Sequence, residues 1–348
     1  MASSAFTESR IDTEHTDQIL DVSFNFYGTR MATSSNDENI KVWDLDEKKQ
    51  WKCTASWKSP ESPAWRVSWG HPEFGQLLVT CSFDRTVTVW QESVGYSVLS
   101  DGVKHAWVHK AHLVDSTSSV KDVKFAPHHL GLQLASCSAK GIVYIYEAPN
   151  IMSLKHWTMR HQINCDMPCS CLSWSTNKSH NPMLAVGSDD SMCPSGGKVV
   201  IYEYNESSHD WVIIHMIMQL TDPVNDLQFA PNGGLDYNVL AIASNDLYIY
   251  HLKTIEEDAN NDQIAVNSTL NINQVAQFDD HNCNVLRVTW NDFGNLLVSN
   301  GDDGQILLWM ENYMQIWKSI SSLKQNASGY CLQGFNGVSI NDNNSLYY

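Results

Sequence analysis

Between Ile19 and Asp44 the chain passes through three short runs of alternating character, Asp21-Val22-Ser23-Phe24, Met31-Ala32-Thr33-Ser34 and Ile40-Lys41-Val42-Trp43, separated by turn residues at Tyr27-Gly28 and Asn36-Asp37-Glu38-Asn39. Period-two runs punctuated in this way predict an antiparallel β-meander. The pattern returns five more times. Its first strands centre on Val22, Val67, Val123, Leu172, Leu227 and Val288, spaced by 45, 56, 49, 55 and 61 residues. A lone meander cannot bury its apolar face, so recurrence at this spacing requires copies to stack on one another. After Trp43 the segment Gln50 to Lys58 alternates again, which makes each unit a four-stranded sheet.

The third strands end on Trp43, Trp90, Tyr146, Tyr202, Tyr250 and Trp309. In the first repeat His15, Thr33 and Asp37 accompany Trp43, and in the sixth His281, Ser299 and Asp303 accompany Trp309. Repeat two holds the partial set Thr80, Asp84 and Trp90. A histidine, a hydroxyl and an aspartate resemble a hydrolase triad, but an active site needs one assembled constellation with an oxyanion pocket. Recurrence at repeat spacing marks the set as structural, tying the turn before the third strand to the neighbouring loop and the Trp through buried hydrogen bonds. Lys140 stands where other repeats place Asp, and Pro60 where the first has His15.

Charge narrows the function classes. With 22 basic and 39 acidic residues the formal charge is −17, which argues against wrapping a nucleic-acid backbone. Nine cysteines in strand-like segments, with no N-terminal apolar signal, read as thiols of a reducing compartment. The cluster His161, Cys165, Cys169 and Cys171 has zinc-ligand chemistry, but Cys169 and Cys171 share a strand and Pro168 interrupts the set, so buried thiols are expected. Neither a phosphate-binding loop nor a Walker lysine is present, and no cofactor is expected. The longest apolar run, Trp211 to Leu220, is well short of the roughly 20 residues that span a bilayer, so no membrane insertion is expected.

Several segments carry a closer likeness. Trp69-Gly70-His71-Pro72-Glu73-Phe74-Gly75, Cys81-Ser82-Phe83-Asp84-Arg85-Thr86, Ile145-Tyr146-Glu147-Ala148-Pro149, Ala276-Gln277-Phe278-Asp279-Asp280-His281-Asn282 and the stretch through Asn312-Tyr313-Met314 resemble the Seh-type nucleoporins, a family of WD-repeat β-propellers. The likeness spans about residues 15–318. It implies a non-catalytic scaffold of the Y-shaped outer-ring complex of the nuclear pore, supporting protein and mRNA transport. It further implies a place in the GATOR complex upstream of TOR signalling at the lysosome, and for some members a role at kinetochores. A vesicle-coat cage subunit and a peptide-receptor adaptor are the alternative readings.

Counting strands sharpens the expectation. Phe6 to Asp12 precedes His15 as Ile272 to Phe278 precedes His281, so residues 1–12 read as a lone outer strand left over from six complete sheets. Either that strand closes on repeat six, or another protein adds strands beside it. The resemblance implies the second, an open propeller of six own blades (residues 13–320) completed by a seventh blade from a helical scaffold nucleoporin. Phe6 and Ile11 are then the candidate partner-binding residues. Residues 321–348, rich in Ser, Asn and Gly, read as a disordered tail.

Overall fold

The computed structural model describes residues 11–60, 62–97, 102–190, 198–255, 269–326 and 329–334. Each predicted meander is a sheet whose strands pair in sequence order. Blade 1 comprises β1 (Ile19–Phe24), β2 (Arg30–Ser35), β3 (Asn39–Leu45) and β4 (Trp51–Lys58). Blade 2 comprises β5 (Ala64–Trp69), β6 (Leu77–Ser82), β7 (Val87–Ser97) and β8 (Gly102–Leu113). Blade 3 comprises β9 (Val120–Phe125), β10 (Gln133–Ser138), β11 (Ile142–Glu147) and β12 (Thr158–Asn164). Blade 4 is β13 (Cys171–Trp174), β14 (Met183–Gly187), β15 (Val199–Asn205) and β16 (Asp210–Ile217). Blade 5 is β17 (Asp226–Phe229), β18 (Asn238–Ala243), β19 (Leu247–Ile255) and β20 (Thr269–Phe278). Blade 6 is β21 (Val285–Trp290), β22 (Leu296–Gly301), β23 (Gln305–Glu311) and β24 (Trp317–Asn326), to which β25 (Gly329–Gly334) adds a fifth strand.

Blades 1 and 2 with most of blade 3 make one compact unit, and blades 4–6 with the rest of blade 3 make a second. In the first, Ala32, Ile40 and Val42 of blade 1 pack on Val67, Leu78 and Trp90 of blade 2, and Phe74 and Leu77 pack on Leu132 and Ala148 of blade 3. In the second, Ile201 and Met183 of blade 4 meet Leu227, Leu240 and Tyr250 of blade 5, while Leu247 and Ile249 meet Val288, Leu307 and Trp309 of blade 6. The core therefore lies between neighbouring sheets, as stacking of one-faced meanders demands. Each fully buried large side chain contributes about 1.5–3 kcal/mol to it.

The turns follow from their residues. Asn25 accepts the amides of Thr29 and Arg30 on its side-chain oxygen, and Asn291 accepts those of Asn295 and Leu296 in the corresponding turn of blade 6. Gly294 closes that turn at φ +68°, where a Cβ would meet the Pro231 carbonyl oxygen at 2.5 Å. A bulge recurs where the third strand meets the fourth, at Val42/Trp43, Val89/Trp90, Ile201/Tyr202, Ile249/Tyr250 and Leu308/Trp309.

Three expectations shift. The alternating residues 313–317 suggested the last outer strand, yet Asn312 accepts the amides of Met314 and Ile316 and bends this stretch into a turn, so β24 begins only at Trp317. The strand then passes the expected boundary at 320, and residues 329–334 of the expected tail pair with it, Lys324 opposite Cys331. At the other end Ile11 and Asp12 are not in a strand, and Phe6 lies outside the described residues. Residues 335–348 also lie outside them. Among the described residues no helix is long and apolar enough to cross a membrane.

Candidate functional site

The register makes the six blades directly comparable. Opposite the central residue of each first strand stands, in order, Thr33, Thr80, Ser136, Val186, Ile242 and Ser299. Seven residues before that central residue stand His15, Pro60, Ser116, Cys165, Leu220 and His281. At these two positions only blades 1 and 6 pair a histidine with a hydroxyl.

In blade 1 the His15 ring lies between Asp37 Oδ2 and Thr33 Oγ1, each at 3.0 Å, and Trp43 Nε1 donates to Thr33 Oγ1 at 3.1 Å. A ring protonated at Nδ1 gives its proton to Asp37 and accepts the Thr33 hydroxyl proton at Nε2, while the Thr33 oxygen receives the Trp43 N–H. Every polar group in the chain is then met once. The His15 side chain is 1% exposed, so the full desolvation cost would appear if one link were removed. Burial alone would raise the Asp37 carboxyl, but the amides of Asn39 and Thr16 and the His15 ring outweigh it and hold the group well below the usual carboxylate range.

Blade 6 repeats the construction. His281 Nδ1 faces Asp303 at 3.2 Å, its Nε2 meets Ser299 Oγ at 2.8 Å, and Trp309 Nε1 donates to the same hydroxyl at 2.8 Å. The ring presses on Gly301, where a Cβ would come 2.8 Å from Nδ1, so the serine found there in blade 1, Ser35, would not fit.

The other blades dispense with the histidine. Blade 2 keeps the Trp90 to Thr80 bond at 3.1 Å, and Asp84 turns to the amide and hydroxyl of Thr86 instead. In blade 3 the Tyr146 hydroxyl is raised well above its ordinary range by burial and then by the Asp115 carboxylate, to which it donates. Lys140 carries no tie there; its amide donates to Ser118 Oγ at 3.1 Å. Blades 4 and 5 fill the same space with apolar groups, Cys165, Val186 and Tyr202 in one and Leu220, Ile242 and Tyr250 in the other, all buried. Asp246 of blade 5 accepts from Gln277 at 2.7 Å.

The suspected metal cluster has become core. Cys165, Cys169 and Cys171 are buried, and the Cys171 sulfur lies against Gly187, where a Cβ would come within 2.6 Å. His161 packs instead on the Tyr204 ring, 5.5 Å away.

Two basic residues escaped the sequence reading. Lys41 donates to the carbonyls of Thr13 and Glu14 at 2.8 and 3.0 Å and, with His15 and the Thr16 amide bond to Asp37, fastens the segment before β1 onto blade 1. Asn36 adds a bond to Asp17 at 2.7 Å. Its one visible signal was a lysine inside an otherwise apolar strand. Arg30 bridges blades 1 and 2, reaching Asp44 at 2.6 Å and both oxygens of Glu92 at 2.6 and 2.8 Å, with Trp69 and Trp107 flanking its guanidinium. Nothing in the local pattern marks it, because its partners lie 14 and 62 residues away.

This geometry describes a framework held together by ties rather than a cleft for chemistry, and known proteins agree. The family model for the WD domain, G-beta repeat, matches residues 7–44, 51–91 and 272–310. Nucleoporin SEH1-A of Xenopus laevis is 49% identical over 339 residues, covering 96% of this chain and 94% of its own. The chain belongs to the SEH1 nucleoporin family. Nucleoporin SEH1 of Homo sapiens is 50% identical over 325 residues (93% of this chain, 90% of its own), and that of Danio rerio 47% identical over 325 residues (93% and 89%). A chain in the crystal structure of a mitotic checkpoint complex superposes with a TM-score of 0.60 at 15% identity, over 86% of this nucleoporin and 76% of that chain, a likeness of fold alone. This nucleoporin is thus an all-β WD-repeat propeller with six blades of its own among the described residues.

Proposed function

We propose that this protein is a non-catalytic scaffold of the nuclear pore outer-ring complex, where it completes and stiffens an elongated helical nucleoporin that donates a seventh blade. The observation that carries the reading is near 50% identity to SEH1 nucleoporins along almost the whole chain. Strand bookkeeping supports the blade-donation mechanism. All six sheets are built from consecutive strands, and described residues 11–18 belong to none of them. The repeat-family match nevertheless begins at residue 7, as a second match begins at 272 inside the outer strand β20. By this sequence match residues 7–12 correspond to an outer strand, without three strands of their own to join. Strand addition by a partner supplies them. Lys41, His15 and Asp37 fix residues 13–16, which lead toward the seam proposed at Phe6 and Ile11. The same surface serves GATOR subunits at the lysosomal membrane and, at mitosis, a kinetochore population.

Coexpression with a helical nucleoporin, followed by light scattering on a sizing column, tests this. A stable one-to-one complex is expected. Ile11→Asp weakens capture by about tenfold or more, as expected when a charge enters a desolvated interface. Lys41→Met, which keeps the apolar stem and removes the bonds to Thr13 and Glu14, weakens it less, and Lys48→Ala in the exposed turn before β4 leaves it unchanged. Equal affinities for all three would sink the seam, and a monomer indifferent to the partner would favour a peptide-receptor adaptor.

A further inference from the structure

Outer strands of stacked sheets expose a row of unpaired backbone groups, and proteins protect such edges with charge, proline or a covering segment. Four of the six blades here do so with charge or a covering strand, and blade 5 sets uncharged polar side chains along its edge instead. The outer strand β4 turns Lys52 and Lys58 outward, β12 exposes Arg160 and Gln162, and β20 exposes Asn271, Asn273 and Gln274. Strand β8 carries His109 and Lys110, and β24 is covered by β25 of the same chain. Blade 4 is different. From Trp211 to Met218 its outer strand and the residue after it contain no Lys, Arg, Asp, Glu or Pro, and the one polar residue is His215.

This edge is apolar on both of its faces. Val212, Ile213 and Met218 are 37%, 55% and 56% exposed. A bulge opposite Ile201 and Tyr202, at Ile214, shifts the register of this strand. It is also held in place from beneath, with the Trp211 ring edge-on to Trp174 at 5.7 Å and against Tyr204 at 5.6 Å. A fixed, apolar, uncharged edge accepts an added strand at little ordering cost. In blade 6 the chain itself displays that mode, β25 lying along β24.

Charge selects the occupant. Residues 199–252 contain seven carboxylates and no Lys or Arg, with Glu206 in the turn before β16, Asp210 at its first position and Asp222 beyond its end. A second copy pairing two-fold along β16 would bring the Glu206 and Asp210 end of each chain against the Asp222 end of the other, acid against acid. We infer that β16 is a docking edge for an extended apolar segment of a partner protein carrying Lys or Arg at its ends, at a place separate from the blade 1 seam. The segment adds antiparallel to Trp211–Met218, its side chains meeting Val212 on one face and Ile213 on the other.

The probe is a fluorescein-labelled peptide of alternating Val and Thr with paired Lys at both ends, titrated by anisotropy into the full chain, with amide hydrogen exchange as the second readout. Binding with slowed exchange across 211–218 is expected. A peptide with Glu ends in place of Lys binds about tenfold more weakly, from several exposed charge pairs of modest individual worth. Ile213→Lys, a substitution at an exposed position, weakens the Lys-ended peptide by about tenfold through the edge-protection effect of a single lysine. Asn273→Lys on β20 and Ile11→Asp leave binding unchanged, the latter separating this edge from the seam. Failure of the Lys-ended peptide to bind, indifference to Ile213→Lys, or protection on another blade overturns the inference. A dimer that forms without peptide and is abolished by Ile213→Lys assigns the edge to a second copy and overturns it as well.

Discussion

Blade 6 and blade 5 solve one packing problem in two ways. At the position opposite the central residue of the first strand, blade 6 has Ser299 and blade 5 Ile242; seven residues before that central residue, His281 faces Leu220; on the third strand, Trp309 faces Tyr250. Blade 6 fills the space with a directional chain of hydrogen bonds, blade 5 with aliphatic contact that any side chain of similar volume can make. The polar version is intolerant of change, because each group has one partner and each unmet group is buried. In exchange it fixes geometry. Blade 1, built like blade 6, uses its chain to hold the segment leading to the proposed seam, whereas blades 4 and 5 have only their own sheets to hold.

The contrast breaks most visibly under volume-conserving substitution. His281→Gln keeps a polar group of similar size but cannot face Asp303 and Ser299 together, and is expected to cost about 2–4 kcal/mol in urea unfolding. Leu220→Met in blade 5 should cost less than about 1.5 kcal/mol. Equal costs would mean that the chain of bonds contributes no more than its volume. A smaller effect separates the aromatic residues: Trp43→Phe removes the bond to Thr33 for about 1–2 kcal/mol, while Tyr250→Phe removes a 3.3 Å contact with Gln274 for about 0.5 kcal/mol.

A comparably small effect depends on pH, and sets two carboxylates of blade 1 against each other. Burial pushes Asp21 up to about 6, opposed by Arg66 and by the Val67 amide that it accepts at 2.9 Å. A carboxyl raised in the folded state binds its proton more tightly there than in the unfolded chain. Its favourable contribution is full below pH 3.8 and lost as pH rises through about 6. Asp37 is lowered, so its contribution is present above 3.8 and lost as pH falls below that value. Thermal melts should therefore show Asp21→Asn gaining on the wild type by on the order of 1 kcal/mol between pH 4 and pH 7.5, less than the full shift because the side chain keeps some solvent contact. Asp37→Asn should lose ground instead as pH rises through the acid limb, its deficit shrinking as the medium is acidified. Parallel pH profiles for the two variants would contradict the assignment.

Most of the blade framework was legible because strand signals are local. Val22, Phe24, Ala32, Val42 and Trp43 declare their spacing within a few residues, and the partial return of the His15, Thr33, Asp37 and Trp43 set distinguished framework from chemistry. What the sequence concealed depends on distance or on competition. Arg30 finds Glu92 only after two sheets have stacked. Lys41 has partners 27 and 28 residues away, the carbonyls of Glu14 and Thr13, which no local pattern announces. Tyr313 to Ile316 alternate well enough for a strand, but the Asn312 side chain competes for their amides and wins. Strand β25 was hidden by its Gly- and Ser-rich surroundings, which read as tail until Lys324 and Cys331 are seen opposite each other.

The consecutive strand order has a consequence for synthesis. Each of the six sheets draws its first four strands from one uninterrupted length of chain, so no blade waits for a strand made at the opposite end. Hairpins form in about 1–10 μs, while the ribosome adds only about 5–20 residues per second. A blade can therefore pair completely while the next is still being translated, and nascent chains would emerge as a growing stack.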